Sequence, residues 1–249
     1  MSIIVKSERE IAIMRQAGRI VAIILAILSD KIKPGMKTVE LDVLAAREAA
    51  ERDAVPSFKG YMGYPANLCV SLNDEIVHGI PSGRIIKEGD LVKLDFGVIY
   101  QGYQGDAAVT VGVGQISPVA KRLMEATRGA LFAGIAKARD GARLGDIGAA
   151  VEAYAATYGF SVVREYTGHG IGREMHEEPQ IQNFGEQGTG PLLKKGMTLA
   201  LEPMVNTGGW RTGVAPDGWV VYTADGSLSA HFEHTIAITE GEPEILTNI

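Results

Sequence analysis

Leu91-Val92-Lys93-Leu94-Asp95-Phe96-Gly97-Val98-Ile99 and, after a short break containing Gly102, Gly105-Asp106-Ala107-Ala108-Val109-Thr110-Val111-Gly112-Val113 are two aliphatic, β-branched runs. Such runs flanking a glycine turn predict a β-hairpin. Each run carries one acid, Asp95 and Asp106. Burying a carboxylate in so apolar a strand is costly unless it is paired or bound to a metal. The hairpin can bring both acids to one place, where their charges repel and a bound cation would remove the conflict. A plainer alternative fits the pair slightly better when it is taken alone: Asp106 belongs to the turn and Asp95 pairs with a basic side chain.

Outward from the hairpin, helices and strands alternate. Ser7 and Glu10 form a Ser-x-x-Glu pattern that predicts a helix start. Further helices are expected over about Thr38 to Arg52, Pro118 to Ala138 and Leu144 to Tyr158. Strands are expected near Ser161 to Glu165, Met197 to Pro203, Gly218 to Thr223 and Phe232 to Thr239. The class is therefore α/β (α+β), and no linker or low-complexity tract interrupts residues 1–249, which read as one domain.

Composition narrows the function classes. A formal net charge of −6 argues against a generic nucleic-acid binder. Cys69 is the single cysteine, which rules out an intrachain disulfide and fits a reducing cytoplasm. The apolar run Ile20 to Leu28 has mixed charges upstream and falls far short of the roughly 20 residues of a membrane span. Ile13, Ala17, Ile20, Ile24 and Leu28 recur at helical spacing, so this run reads as the buried side of a long helix, with no membrane partner expected.

A weak internal repeat runs beneath these elements. Pro34-Gly35-Met36-Lys37-Thr38-Val39-Glu40-Leu41 matches Asp140-Gly141-Ala142-Arg143-Leu144-Gly145-Asp146-Ile147 at an offset of 106 (141 − 35). Glu88 to Asp95 matches Lys195 to Glu202 at an offset of 107 (202 − 95). The alternative is coincidence between common turn patterns. If the repeat is real, each half brings an acid to a shared centre.

Three further stretches carry candidate chemistry. In Gly168-His169-Gly170-Ile171-Gly172-Arg173-Glu174-Met175-His176, the glycines are expected to let the backbone turn sharply and leave the imidazole accessible. Glu202 ends the run Met197 to Leu201 and precedes Pro203, which cannot extend a central ladder. Glu233 sits in an alternating strand with His231 and Thr235 on its face. Asp95, Asp106, His169, Glu202 and Glu233 together supply four carboxylates and one imidazole. That set favours Mn²⁺, Fe²⁺, Co²⁺ or Zn²⁺ over thiolate-bound zinc, and suffices for two ions.

The ordered set Val70-Ser71-Leu72-Asn73-Asp74-Glu75-Ile76-Val77-His78-Gly79-Ile80-Pro81, Leu94-Asp95, Gly105-Asp106, Gly168-His169-Gly170-Ile171-Gly172, His176-Glu177-Glu178-Pro179, Leu201-Glu202-Pro203-Met204 and Phe232-Glu233-His234-Thr235 closely resembles the type I methionine aminopeptidases. The resemblance spans nearly the whole chain. It implies the pita-bread fold, with pseudo-twofold halves around a curved, mostly antiparallel sheet. It also implies two divalent ions held by Asp95, Asp106, His169, Glu202 and Glu233, with Asp106 and Glu233 bridging. His78 and His176 would contact substrate and transition state, and Glu202 would double as general base. Phe58, Tyr61, Tyr64, Cys69, Met175 and Trp219 would line a methionine slot.

By the same resemblance the substrate is the initiator methionine of nascent polypeptides with a small second residue. A monomeric, cytoplasmic enzyme of the minimal bacterial type, touching the ribosome at most transiently, is expected. Three positions depart from the family's pattern. Gln104 stands where a histidine often precedes Gly-Asp, Met175 where phenylalanine is common, and Met62 where some members carry a loop histidine. The competing readings are an Xaa-Pro aminopeptidase or prolidase of the same fold, and a non-catalytic binding relative.

Overall fold

The structure is a computed structural model that describes residues 2–249. In chain order the elements are α1 (Glu8–Lys31), α2 (Thr38–Ala50), β1 (Val55–Pro56), a 3-10 turn (Tyr61–Gly63), β2 (Cys69–Leu72), β3 (Glu75–Val77), β4 (Leu91–Tyr100), β5 (Tyr103–Gly112), α3 (Pro118–Ile135) and α4 (Leu144–Thr157). There follow β6 (Ser161–Val162), β7 (Gly168–Gly170), β8 (Glu177–Ile181), β9 (Thr198–Leu201), β10 (Met204–Asn206), β11 (Thr212–Val214), β12 (Val221–Thr223), β13 (Ser229–His231), β14 (Glu233–Ala237) and β15 (Glu244–Ile245).

Ser7 caps α1 as expected: its hydroxyl accepts from the Glu10 amide, and the Glu10 carboxylate accepts from the Ser7 amide at 2.8 Å. The apolar character of α1 extends well beyond Ile20 to Leu28, and by length and composition the helix could cross a membrane. Its Ala17, Val21, Ile24 and Leu28 are nevertheless fully buried, packed with Phe96 and Val98 of β4 and Ala107 of β5. Gly105 makes this approach possible. A methyl group there would lie 2.7 Å from the α1 backbone at Ala17 and Gly18. The hairpin itself is tighter than expected. Its loop is only Gln101-Gly102, both at positive φ (49° and 78°), the geometry of a type I′ turn.

The principal sheet has nine strands, and its main path runs β1-β4-β5-β14-β9-β7-β8. All its pairings are antiparallel. The repeat appears as matching geometry on either side of the β5–β14 seam. Gly35 N–H donates to Ile86 O (2.8 Å) and Gly141 N–H to Leu193 O (3.0 Å). Lys37 bridges Ile85 just as Arg143 bridges Leu192. Glu40 and Asp146 each accept the amide three residues earlier at 2.8 Å, capping α2 and α4. One apolar core lies under α1 and α2, and a second under α3 and α4.

Candidate metal centre

The ladder register determines which side chains share a face. Asp95 pairs with Ala108 and Gly97 with Asp106 across β4–β5, and Ala108 pairs with Glu233 across β5–β14. Thr235 pairs with Ala200 across β14–β9, and Ala200 with His169 across β9–β7. Side chains alternate with period two, so Asp95, Asp106, Glu233 and His169 point to one face, with Glu202 just past the end of β9 on the same side. The alternate residues Phe96, Ala107, Leu201 and Ile236 point into the two helical cores. Five strands, β4 and β5 from one half and β7, β9 and β14 from the other, thus converge on one patch of sheet.

His169 differs from expectation: it is only 6% exposed, not accessible. Its flanking glycines do not adopt positive φ. They are required by close approach, because a methyl at Gly168 would lie 2.4 Å from Ala200 O and one at Gly170 2.2 Å from Glu178 O. The ring Nδ1 lies 2.9 Å from Gly170 O. A carbonyl can only accept, so Nδ1 carries the proton and Nε2 presents its lone pair, as a metal ligand must. That Nε2 is 3.6 Å from Glu202 Oε1.

Ligand atoms of Asp106, His169 and Glu233 lie within 4.8 Å of one another. Asp95 Oδ1, Asp106 Oδ1 and Glu233 Oε1 are buried without any hydrogen-bond partner. Burial, reinforced by the neighbouring acids, pushes the Asp106, Glu202 and Glu233 carboxyls well above the usual range, and burial pushes Asp95 up to about 7. Orphaned acceptors and crowded acids around a neutral imidazole fit a divalent cation site of mixed oxygen and nitrogen donors. Neither alternative reading of the hairpin pair holds, because Asp106 lies inside β5 and Asp95 has no basic partner among the described residues.

The acids form the floor of a cavity of about 270 Å³. Phe58, Tyr61, Tyr64, Cys69, Met175 and Trp219 border it, together with His78 and His176; His169 is not among the residues that line it. His78 takes a left-handed backbone (φ 60°) and sits edge-on to Tyr166 and Trp219, with ring centroids at 5.9 and 6.4 Å. Burial lowers its pKa to about 4. His176 stands above the floor, its ring 4.3 Å from that of His169, with burial lowering its pKa too. Gln104 accepts from the Ser57 hydroxyl at 2.6 Å and does not line the cavity.

Sequence reasoning missed several neighbours. Glu165, Tyr166 and Thr167 form part of the cavity wall. His231 is 1% exposed, and its Nε2 lies 3.7 Å from Glu202 Oε2. Lys93, buried on the same face as Asp95, donates to Asn73 O (2.7 Å) and Ser229 O (3.1 Å), and burial lowers its pKa to about 7. It ties the segment leading to His78 to the strand that carries His231.

Residues 12–240 match the model of metallopeptidase family M24. The chain belongs to that family. M24 relatives include methionine aminopeptidase 1 of Bacillus subtilis, 50% identical over 247 residues that cover 99% of this chain and 100% of that one. The crystal structure of a methionine aminopeptidase from Thermotoga maritima superposes with a TM-score of 0.98 at 46% identity, covering 100% of both chains. A prolidase from Pyrococcus furiosus shares the fold alone, at a TM-score of 0.79 and 22% identity, with 99% of this chain matched to 66% of that one. The architecture is the pita-bread fold. As an M24 member the chain is a hydrolase of the metalloaminopeptidase type that uses divalent metal.

Proposed function

We propose that this protein removes the N-terminal methionine from peptides and nascent polypeptides, preferring a small second residue. The observation that carries the proposal is the junction of two surfaces. A cluster of buried, unpartnered acids forms the floor of the cavity, and a slot of aromatic and sulfur-bearing side chains adjoins it. Soft contacts from Cys69 and Met175 and the faces of Tyr64 and Trp219 suit an unbranched thioether.

Asp95, Asp106, His169, Glu202 and Glu233 would hold two ions, of Mn, Fe, Co or Zn. When bound, the ions supply a water acidic enough to act as a nucleophile near neutral pH. Glu202, held at the edge of the floor, takes the proton and returns it to the leaving nitrogen. His176 donates a hydrogen bond to the scissile carbonyl oxygen as charge develops there, a contribution of roughly 3–4 kcal/mol where single donors of this kind are removed. His78, neutral and fixed by its backbone, orients the scissile nitrogen. Bulk at the second residue of the substrate would press on the wall formed by His78 and Tyr166.

Turnover of Met-Ala, Met-Ser, Met-Leu and Xaa-Pro peptides across a metal panel, with a chelator control, tests the reading. Metal-dependent cleavage of Met-Ala and Met-Ser well above Met-Leu and Xaa-Pro is expected. Equal rates, or preference for proline, would reject it.

A further inference from the structure

Tyr61 was expected only as a wall of the slot, but its hydroxyl makes a specific contact. The Tyr61 Oη lies 2.7 Å from His176 Nδ1, and the two rings sit 5.3 Å apart at centroids. The loop that presents Tyr61 is held in an improbable conformation, with Gly60, Met62 and Gly63 all at positive φ (87°, 49° and 89°). Backbone bonds from Tyr61 N–H to Phe58 O (2.9 Å) and from Gly60 N–H to Tyr64 O (2.8 Å) close it. The Tyr61 ring packs against the apolar cluster that contains Ile171 and Met175, the residue before His176.

A neutral imidazole has one N–H and one lone pair, and its partners decide which nitrogen carries which. A phenol hydroxyl is a good donor and a poor acceptor, whereas an imidazole nitrogen is a good acceptor. The contact therefore runs from Tyr61 O–H to His176 Nδ1. The ring proton is then left on Nε2 of a histidine that lines the cavity.

We infer that Tyr61 is a positioning residue: its hydroxyl holds His176 in the Nε2–H tautomer, so that a donor rather than a lone pair meets the scissile carbonyl oxygen. This rests on the role given above to His176 as donor. The same ring walls the slot, so side-chain occupancy of the slot and the orientation of His176 are coupled through one residue. Selectivity for the first side chain can then appear in turnover as well as in binding.

Tyr61→Phe keeps the wall and removes only the hydroxyl. In the metal-free protein, long-range ¹⁵N–¹H correlation resolves the tautomers of the five histidines, with the His176 signals identified by their loss in His176→Asn. The wild type should show His176 as the Nε2–H form, and Tyr61→Phe a mixture containing Nδ1–H. In the metal-loaded enzyme with a Met-Ala peptide, Tyr61→Phe should lower kcat about tenfold with KM within twofold, short of the ~100- to 1000-fold cost of deleting an oxyanion donor outright. Retention of the Nε2–H form in Tyr61→Phe, or a change confined to KM, overturns the inference. Because the tautomer is read without metal or substrate, that result stands apart from the proposed activity, which fails separately if the wild type does not cleave Met-Ala.

Discussion

The Lys6 ammonium is buried against the Glu177 carboxylate, the two side chains being 3% and 5% exposed. The other Glu177 oxygen accepts the Arg173 amide at 3.0 Å. The N-terminal segment is thereby clamped onto the loop that carries Met175 and His176. Removing one partner of a buried pair leaves an uncompensated charge, so Lys6→Met should cost about 3–5 kcal/mol, read as a lowered urea midpoint. The double variant Lys6→Met/Glu177→Gln should recover a large part of that loss.

Metal binding should depend on pH with a definite sign. The Asp95, Asp106, Glu202 and Glu233 carboxyls are raised in the folded, metal-free protein, Asp95 to about 7. Their contribution to metal-free stability is present at low pH and is lost as pH rises through those folded values. Cations require the ionised forms, so binding must release protons. The rise in Tm on adding Mn²⁺ or Co²⁺ should therefore be larger at pH 8 than at pH 6, and calorimetry in buffers of different ionisation enthalpy should show proton release.

Asp106→Asn separates stability from function. It removes one ionisable carboxyl from a cluster that has no counter-ion among the described residues. The metal-free variant should be more stable than the wild type by about 0.5–2 kcal/mol at pH 8, while losing metal binding and Met-Ala turnover. Equal stability of the two metal-free proteins in urea would contradict the electrostatic account of the site.

His231 offers a second titration test. Burial lowers its pKa to about 3, and neither ring nitrogen has a hydrogen-bond partner. The folded value lies below the unfolded one, so the unfolded chain binds more protons below about pH 6.5, and the histidine destabilises the fold increasingly as pH falls toward 3. His231→Leu should thus gain stability relative to the wild type between pH 6.5 and pH 4.5. Parallel stability curves over that window would refute the assignment.

Elements with strong local signals are legible in the sequence. The Ser7–Glu10 cap, the β4–β5 runs around Gly102 and the paired Gly35 and Gly141 turns each specify their conformation from neighbouring residues. Short strands were not legible. Gly168–Gly170 has no apolar periodicity at all, and Glu177–Ile181 is mostly polar, so their pairing is imposed by the sheet around them. The acids of the centre could be found because a carboxylate among aliphatic residues is costly. His231 was placed on the Glu233 face by strand alternation, but a histidine in an apolar strand is ordinarily structural, and nothing local marked its approach to Glu202. The burial of His169 was concealed for a related reason, since glycine next to it signals freedom in sequence and close contact in the fold.

The seam between β5 and β14 has a kinetic consequence. Asp95 and Glu233 are 138 positions apart along the chain (233 − 95), and Ala108 lies between their strands. Closing loops of that length is a late, entropically costly event, so a cation finds its complete set of donors only in chains that have already assembled. Bound metal should then act as a latch on the finished molecule, slowing its escape to the unfolded state while leaving the speed of its formation nearly untouched.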